Sequence, residues 1–202
     1  ADEVRLFKAS YKEAPNEFRS RHHLSDKPII ALLAGSRQQE INDNLPAMIQ
    51  AASHFDGYQA VIAGAPGIDD SMYGPIIRGT KVCLVHNDTY SLLANATLAV
   101  VTSGTATLET ALFNVPQVVC YKTPLPHFIA FCRRHVLKVK YISLVNLIAD
   151  DEIVTELVAD SFSSDNITQS LNLIMPGTPG RSRMLKGYQR VRQLLGDNIA
   201  PE

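Results

Sequence analysis

The 202-residue sequence predicts an α/β fold built on one doubly wound parallel sheet. Apolar, strand-like runs alternate with helical patterns along most of the chain. Those runs are continuously apolar rather than alternating, as expected for strands covered on both faces. Two of them end in turns of small residues that open a helix, Gly35-Ser36 and Ser103-Gly104-Thr105. Five such β–α repeats make a Rossmann-like domain, with its ligand-binding crevice at the carboxyl ends of the strands.

Residues 1–27 are polar and helical in tendency, and form a lead-in before the first strand. Strands are expected at Ile29–Ala34, Tyr58–Ala63, Lys81–Val85, Thr97–Val101 and Gln117–Tyr121. The helices between them fall at Gln38–His54, Asp69–Ile77, Thr89–Asn95 and Ala106–Phe113. Thr123-Pro124-Leu125-Pro126 then breaks the rhythm. A helix over His127–Lys138 follows, and the apolar run 140–148 predicts a short strand and an ordered loop. Further helices are expected at Ile153–Ala159, Asn166–Met175 and Ser182–Leu195. The sheet domain accordingly spans residues 28–160. Residues 161–202 supply extra C-terminal helices. An isolated α/β enzyme could begin with such a lead-in, and so could the second half of a larger one.

Composition narrows the function classes. Hydrophobic content of 46% with 19% charged residues is that of a globular protein. A net charge of −1 supplies no field for nucleic acid. The apolar runs are far shorter than a membrane span, and Asp2, Glu3 and Arg5 do not suit a secretory leader. Cys83, Cys120 and Cys132 are odd in number and lack metal-ligand spacing, which predicts reduced thiols in the cytoplasm. The six histidines form no metal motif, and there is no GxGxxG or P-loop.

Two turns carry the candidate chemistry. Around Ser103, Gly104 and Thr105 the order strand, small-residue turn, helix start aims backbone N–H groups at an anion. Glu109, about one turn into that helix, is placed to reach past a phosphate to a sugar hydroxyl; a carboxylate there also suits the helix dipole alone. In the other turn Gly35 permits a tight bend, Ser36 exposes N–H groups and Arg37 can fork onto phosphate oxygens. The structural alternative is a capping box formed by Ser36 and Gln39, with Arg37 simply solvated. Asn146, inside the apolar run 144–148, either satisfies its own loop or contacts a nucleotide. The segment with Phe128, Phe131, Arg133 and Arg134 suits an anionic lipid surface or an ordinary amphipathic helix.

Four stretches in order and spacing carry a resemblance. Leu32-Leu33-Ala34-Gly35-Ser36-Arg37, Ser103-Gly104-Thr105-Ala106-Thr107-Leu108-Glu109, Pro116–Lys122 and Tyr141–Ala149 together resemble the C-terminal half of lipid A disaccharide synthase. Asp43-Asn44-Leu45-Pro46 and Ala63–Ile68 are similar to the version from the Bacteroides group. The resemblance implies the C-terminal domain of a GT-B glycosyltransferase. Such an enzyme transfers 2,3-diacylglucosamine from UDP to 2,3-diacylglucosamine 1-phosphate with inversion and releases UDP. No catalytic metal or other cofactor is implied. Gly35, Ser36 and Arg37 would meet phosphate, with Arg37 stabilising the leaving group. Ser103, Gly104 and Thr105 would line the diphosphate, Glu109 would hold the ribose and Asn146 would sit in the pocket. Phe128, Phe131, Arg133 and Arg134 would face acyl chains at the cytoplasmic side of the inner membrane. A homodimer exchanging C-terminal helices is also implied. The catalytic base belongs to the N-terminal half, so this chain alone is expected to be inactive.

The sequence departs from that pattern at Ala34 and Val145, where proline is usual, and at Asp151, where many members carry arginine. The reversed charge at 151 shifts the expected donor contact onto Arg37. Two rivals are a UDP-N-acetylglucosamine 2-epimerase-like half and a non-enzymatic Rossmann-like binding module. The Phe–Arg segment argues against the first, and the basic turn at Arg37 against an acidic receiver site.

Overall fold

The computed structural model describes residues 1–102, 104–122 and 140–196. Two helices lead in, α1 (Asp2–Ser10) and α2 (Pro15–Arg21). The sheet region follows as β1 (Ile29–Leu33), α3 (Gln38–Ala52), β2 (Gln59–Gly64), α4 (Asp70–Ile77), β3 (Cys83–His86), α5 (Thr89–Asn95), β4 (Ala96–Thr102), α6 (Thr105–Leu112) and β5 (Gln117–Tyr121). Beyond it lie α7 (Leu144–Ala149), β6 (Thr155–Val158), α8 (Ser164–Leu173) and α9 (Pro179–Leu194). All paired strands are parallel, in the order β3-β2-β1-β4-β5-β6. The chain therefore moves outward from β1 in one direction, then crosses back to β4 and continues in the other. That reversal opens a crevice at the carboxyl ends of β1 and β4.

The continuous apolar runs explain the layers. Every residue of β1 is buried. Ile29, Ala31 and Leu33 pack with Phe18, Leu92 and Leu93 on the face covered by α2 and α5. Ile30 and Leu32 point the other way, into a larger cluster with Ile41, Leu45, Met48, Ile167 and Tyr188 from α3, α8 and α9. Alternation of side chains across a strand forces this two-sided division.

The five expected strands all form, four of them with ends shifted by one or two residues. Two expectations are corrected. The segment expected as a helix at Ile153–Ala159 is instead β6, followed by a 3₁₀ turn at Ala159–Ser161. It adds to the edge of β5, with Val118 beside Thr155 and Tyr121 beside Val158. The expected strand and loop at 140–148 contain α7, capped by the Ser143 hydroxyl accepting the Asn146 N–H at 3.2 Å. The helix expected at His127–Lys138 lies outside the described residues.

The lead-in docks on the sheet domain. Phe7 stacks on Tyr11 and meets Tyr90 and Phe113 edge-on. Arg21 joins Glu13 to Asp88, which also meets His22 at 2.7 Å. At the other end, the buried Tyr188 hydroxyl of α9 donates to the Val115 carbonyl at 3.1 Å and accepts from Gln117 Nε2 at 3.2 Å. Asp151 pairs with Arg190 of α9 at 3.1 Å on the surface. Cys83 and Cys120 are free thiols, and burial pushes the Cys120 pKa upward. Among the described residues no helix is long and apolar enough to cross a membrane.

Candidate functional site

A cavity of about 920 Å³ opens at the crevice between β1 and β4. Both small-residue turns line it, together with the β2 end, the α5 start and Phe7 of the lead-in. The sheet order alone brings these sequence-distant loops together.

In the first turn Gly35 adopts φ 113°, in the region that favours glycine. A Cβ there would also run into the Glu40 side chain. The Ser36 N–H is already engaged, donating to Glu40 Oε2 at 2.9 Å. Glu40 Oε1 accepts from the Tyr121 hydroxyl at 3.2 Å. Helix α3 begins with Arg37 at its N-cap and no side-chain cap, so the Ser36–Gln39 capping box does not form. Gly35, Ser36 and Arg37 all line the cavity, but they do not offer the same donors. Arg37 is exposed, and its guanidinium has no hydrogen-bond or ion-pair partner among the described residues. A phosphate at this turn would meet that guanidinium rather than the Ser36 amide.

The second turn is open in a different way. Gly104 is the N-cap of α6 at φ 139°, and no side chain caps the helix. Among the described residues the Thr105 and Ala106 N–H groups have no backbone acceptor. They stand at the positive end of the helix dipole. Thr102, which lines the same cavity, is 2% exposed, and its hydroxyl has no hydrogen-bond partner among the described residues. A buried hydroxyl without a partner costs free energy unless a ligand or water completes it. Ser103, expected beside the diphosphate, lies outside the described residues.

Glu109 lies on the cavity wall, about one turn beyond Thr105. Its Oε1 accepts from the Tyr90 hydroxyl at 3.1 Å, which leaves Oε2 available. Partial burial and the neighbouring Glu109 carboxylate push the Tyr90 pKa up to about 12. Tyr121 is raised too, by burial first and by Glu40 second.

Asn146 is not brought to this cavity. It is fully buried and internally satisfied, which corrects the expectation that it sits in the pocket. Its Nδ2 donates to the Val154 carbonyl at 2.8 Å and to Glu156 Oε1 at 2.9 Å. Its Oδ1 accepts the Ile153 and Val154 N–H groups at 2.8 and 2.9 Å. Phe128, Phe131, Arg133 and Arg134 lie outside the described residues. Among the described residues no group of His, Cys, Asp and Glu could hold a metal ion.

Glu40 and Thr102 fall within the two stretches the sequence singles out but carry no role there, and Tyr90 and Phe7 are not visible from sequence as part of this site. Glu40 carried one usable signal, since an acidic residue in the first turn of a helix can reach back to a preceding N–H. Tyr90 and Phe7 carried none, because their roles depend on contacts across the fold.

The arrangement has the Rossmann-like fold found in the domains of GT-B glycosyltransferases. It is similar in fold to Anabaena Alr3699/HepE, solved in complex with UDP and glucose, with a TM-score of 0.61 and 12% identity. That match covers 96% of this chain and 52% of the Anabaena chain. It is also similar to the C-terminal CMP-Kdo binding domain of WaaA from Acinetobacter baumannii, with a TM-score of 0.54 and 13% identity. There the coverage is 89% of this chain and 96% of the domain. At these identities the likeness establishes the fold alone.

Sequence similarity narrows the class to a family. Residues 6–198 match the lipid-A-disaccharide synthetase family, and the chain belongs to it. A lipid-A-disaccharide synthase from Myxococcus xanthus is 37% identical over 191 residues, covering 91% of this chain and 49% of the relative. The chain spans about half the length of the curated relatives it matches.

Proposed function

We propose that this chain is the donor-nucleotide half of an inverting glycosyltransferase that makes the lipid A disaccharide. Its cavity holds the UDP of UDP-2,3-diacylglucosamine. The observation that carries this reading is the convergence of Arg37, the open α6 N-terminus with the unpartnered Thr102 hydroxyl, and Glu109 on one cavity. Cationic and amide donors on one side suit a diphosphate. A carboxylate about one helical turn further on suits the hydroxyls of a ribose.

In the proposed reaction a hydroxyl of 2,3-diacylglucosamine 1-phosphate attacks the anomeric carbon from the face opposite UDP. The bond from that carbon to the diphosphate oxygen breaks, so the configuration inverts. Charge then accumulates on the departing UDP, where Arg37 and the α6 amides offset it. The hydroxyl proton goes to a general base positioned within hydrogen-bond reach. That base and the acceptor site belong to the N-terminal portion of the enzyme. Membership in the lipid-A-disaccharide synthetase family favours this reading over an epimerase half or a non-enzymatic module.

Lipid substrates would suit an enzyme at the cytoplasmic face of the inner membrane, and the residue types Phe128, Phe131, Arg133 and Arg134 suit an anionic lipid surface. Exchange of the C-terminal helices between two copies would reproduce in trans the contacts that α9 makes within one chain. The test mixes the chain with both sugar-lipid substrates, with and without the N-terminal half. Disaccharide is expected only when both halves are present, and product from this chain alone would refute the division of labour.

A further inference from the structure

We propose that Tyr90 is a positioning residue that sets the Glu109 carboxylate for the donor ribose, and that Phe7 of the lead-in helix holds Tyr90 in place. The inference rests on the reading of Glu109 as the ribose contact. Tyr90 is the second residue of α5, and its hydroxyl donates to Glu109 Oε1 on α6 at 3.1 Å. Its ring packs in a triangle with two others, Phe7 and Phe113, each with its centroid 5.5 Å away and the two 5.8 Å from one another. Glu3, on the same lead-in helix as Phe7, acts on the same hydroxyl. The phenol is protonated across the physiological range, and burial and Glu109 push its pKa further up.

The consequence for binding is physical. A glutamate side chain has several rotatable bonds, and a half-buried one on a cavity wall samples several rotamers unless it is tied. One hydrogen bond to Oε1 restricts that sampling and leaves Oε2 free to accept from a sugar hydroxyl. Ordering a flexible side chain on binding weakens affinity, and an interaction already made in the free protein removes part of that cost. The aromatic triangle matters for the same reason, since a tyrosine free to rotate would not fix its partner. Residues at the start of the chain thus act on the donor cavity without any proposed donor contact of their own.

The experiment is a double-mutant cycle on the full 202-residue chain with UDP and inorganic pyrophosphate as probes. Tyr90→Phe keeps the ring and removes only the hydroxyl. It is expected to weaken UDP binding about three- to tenfold, which is the range for one tethered side chain. Pyrophosphate, which has no ribose, is expected to bind both single variants and the wild type equally. In a Glu109→Ala background, Tyr90→Phe should produce no further loss of UDP affinity. A Tyr90→Phe chain that binds UDP as the wild type does, while Glu109→Ala is weakened, overturns the inference alone. An equal loss for UDP and pyrophosphate overturns it too, because the tyrosine would then be supporting the fold in general. Wild-type chain that binds no UDP, or Glu109→Ala that binds it normally, removes the ribose reading and the inference with it.

Discussion

Replacing Asn146 with alanine removes a side chain that makes four hydrogen bonds inside a fully buried site, at distances of 2.8 to 2.9 Å. Each is worth about 1 kcal/mol net; the Val154 N–H would lose its acceptor, while the Ile153 N–H would keep only the Asp151 carbonyl at 3.1 Å. The expected cost is therefore about 4 kcal/mol. For a chain of this length a loss of 1 kcal/mol lowers the melting temperature by roughly 2–4 °C, so a fall of roughly 8–16 °C is expected. The loss should concentrate where α7 meets β6, because Glu156 is the shared acceptor. It takes the N–H groups of Ile142 and Ser143, the Ser143 hydroxyl and Asn146 Nδ2. Thermal melting and urea titration measure the destabilisation, and calorimetry at low temperature measures UDP binding by the folded protein. Affinity should stay within about twofold of wild type, since mutational effects at separate sites add independently. A stability change below about 1 kcal/mol with a tenfold loss of UDP affinity would refute the reasoning, because Asn146 would then be a ligand contact.

Two further perturbations test other parts of the structure. Gly35→Ala places a Cβ against Glu40 at a backbone φ of 113°, and is expected to destabilise by about 1–3 kcal/mol in urea unfolding. Unchanged stability would show that the close approach of Glu40 is absent. Alkaline stability should fall as pH rises from about 10 to about 12. The Tyr90 pKa is raised to about 12 by burial and by Glu109, and Tyr121 and Tyr188 are raised too, chiefly by burial. An unfolded tyrosine ionises near pH 10 while these hold their protons, so the fold is favoured below that pH and loses the advantage above it. Phenolate absorbance and urea unfolding from pH 8 to 11 follow it, and flat stability to pH 11 would contradict the sign.

The sequence made the sheet legible because its central strands are buried on both faces. Runs such as 29–34 and 97–101 have no other stable setting at that length. β6 escaped because it is a four-residue edge strand whose apolar spacing also fits a helix. Its choice is made by pairing with β5 and by Glu156 capturing the donors ahead of α7. In the site, Gly35, Arg37, Gly104 and Glu109 could be picked out because turn chemistry and helix starts are local. Glu40 and Tyr121 are 81 residues apart, and their bond depends on which loops the strand order brings together. The same holds for Tyr90, Phe7 and Glu109. Asn146 misled for a related reason: a buried amide always needs partners, and a sequence does not say whether they come from the protein or a ligand.

In the proposed function the cavity between β1 and β4 receives a uridine diphosphate. Calorimetric titration of UDP into the wild-type chain and into Arg37→Ala tests it most directly. Saturable one-site binding to the wild type is expected, with a loss of about 1.5–3 kcal/mol in the variant, or roughly ten- to a hundredfold. Equal affinity in the two proteins would place the nucleotide elsewhere.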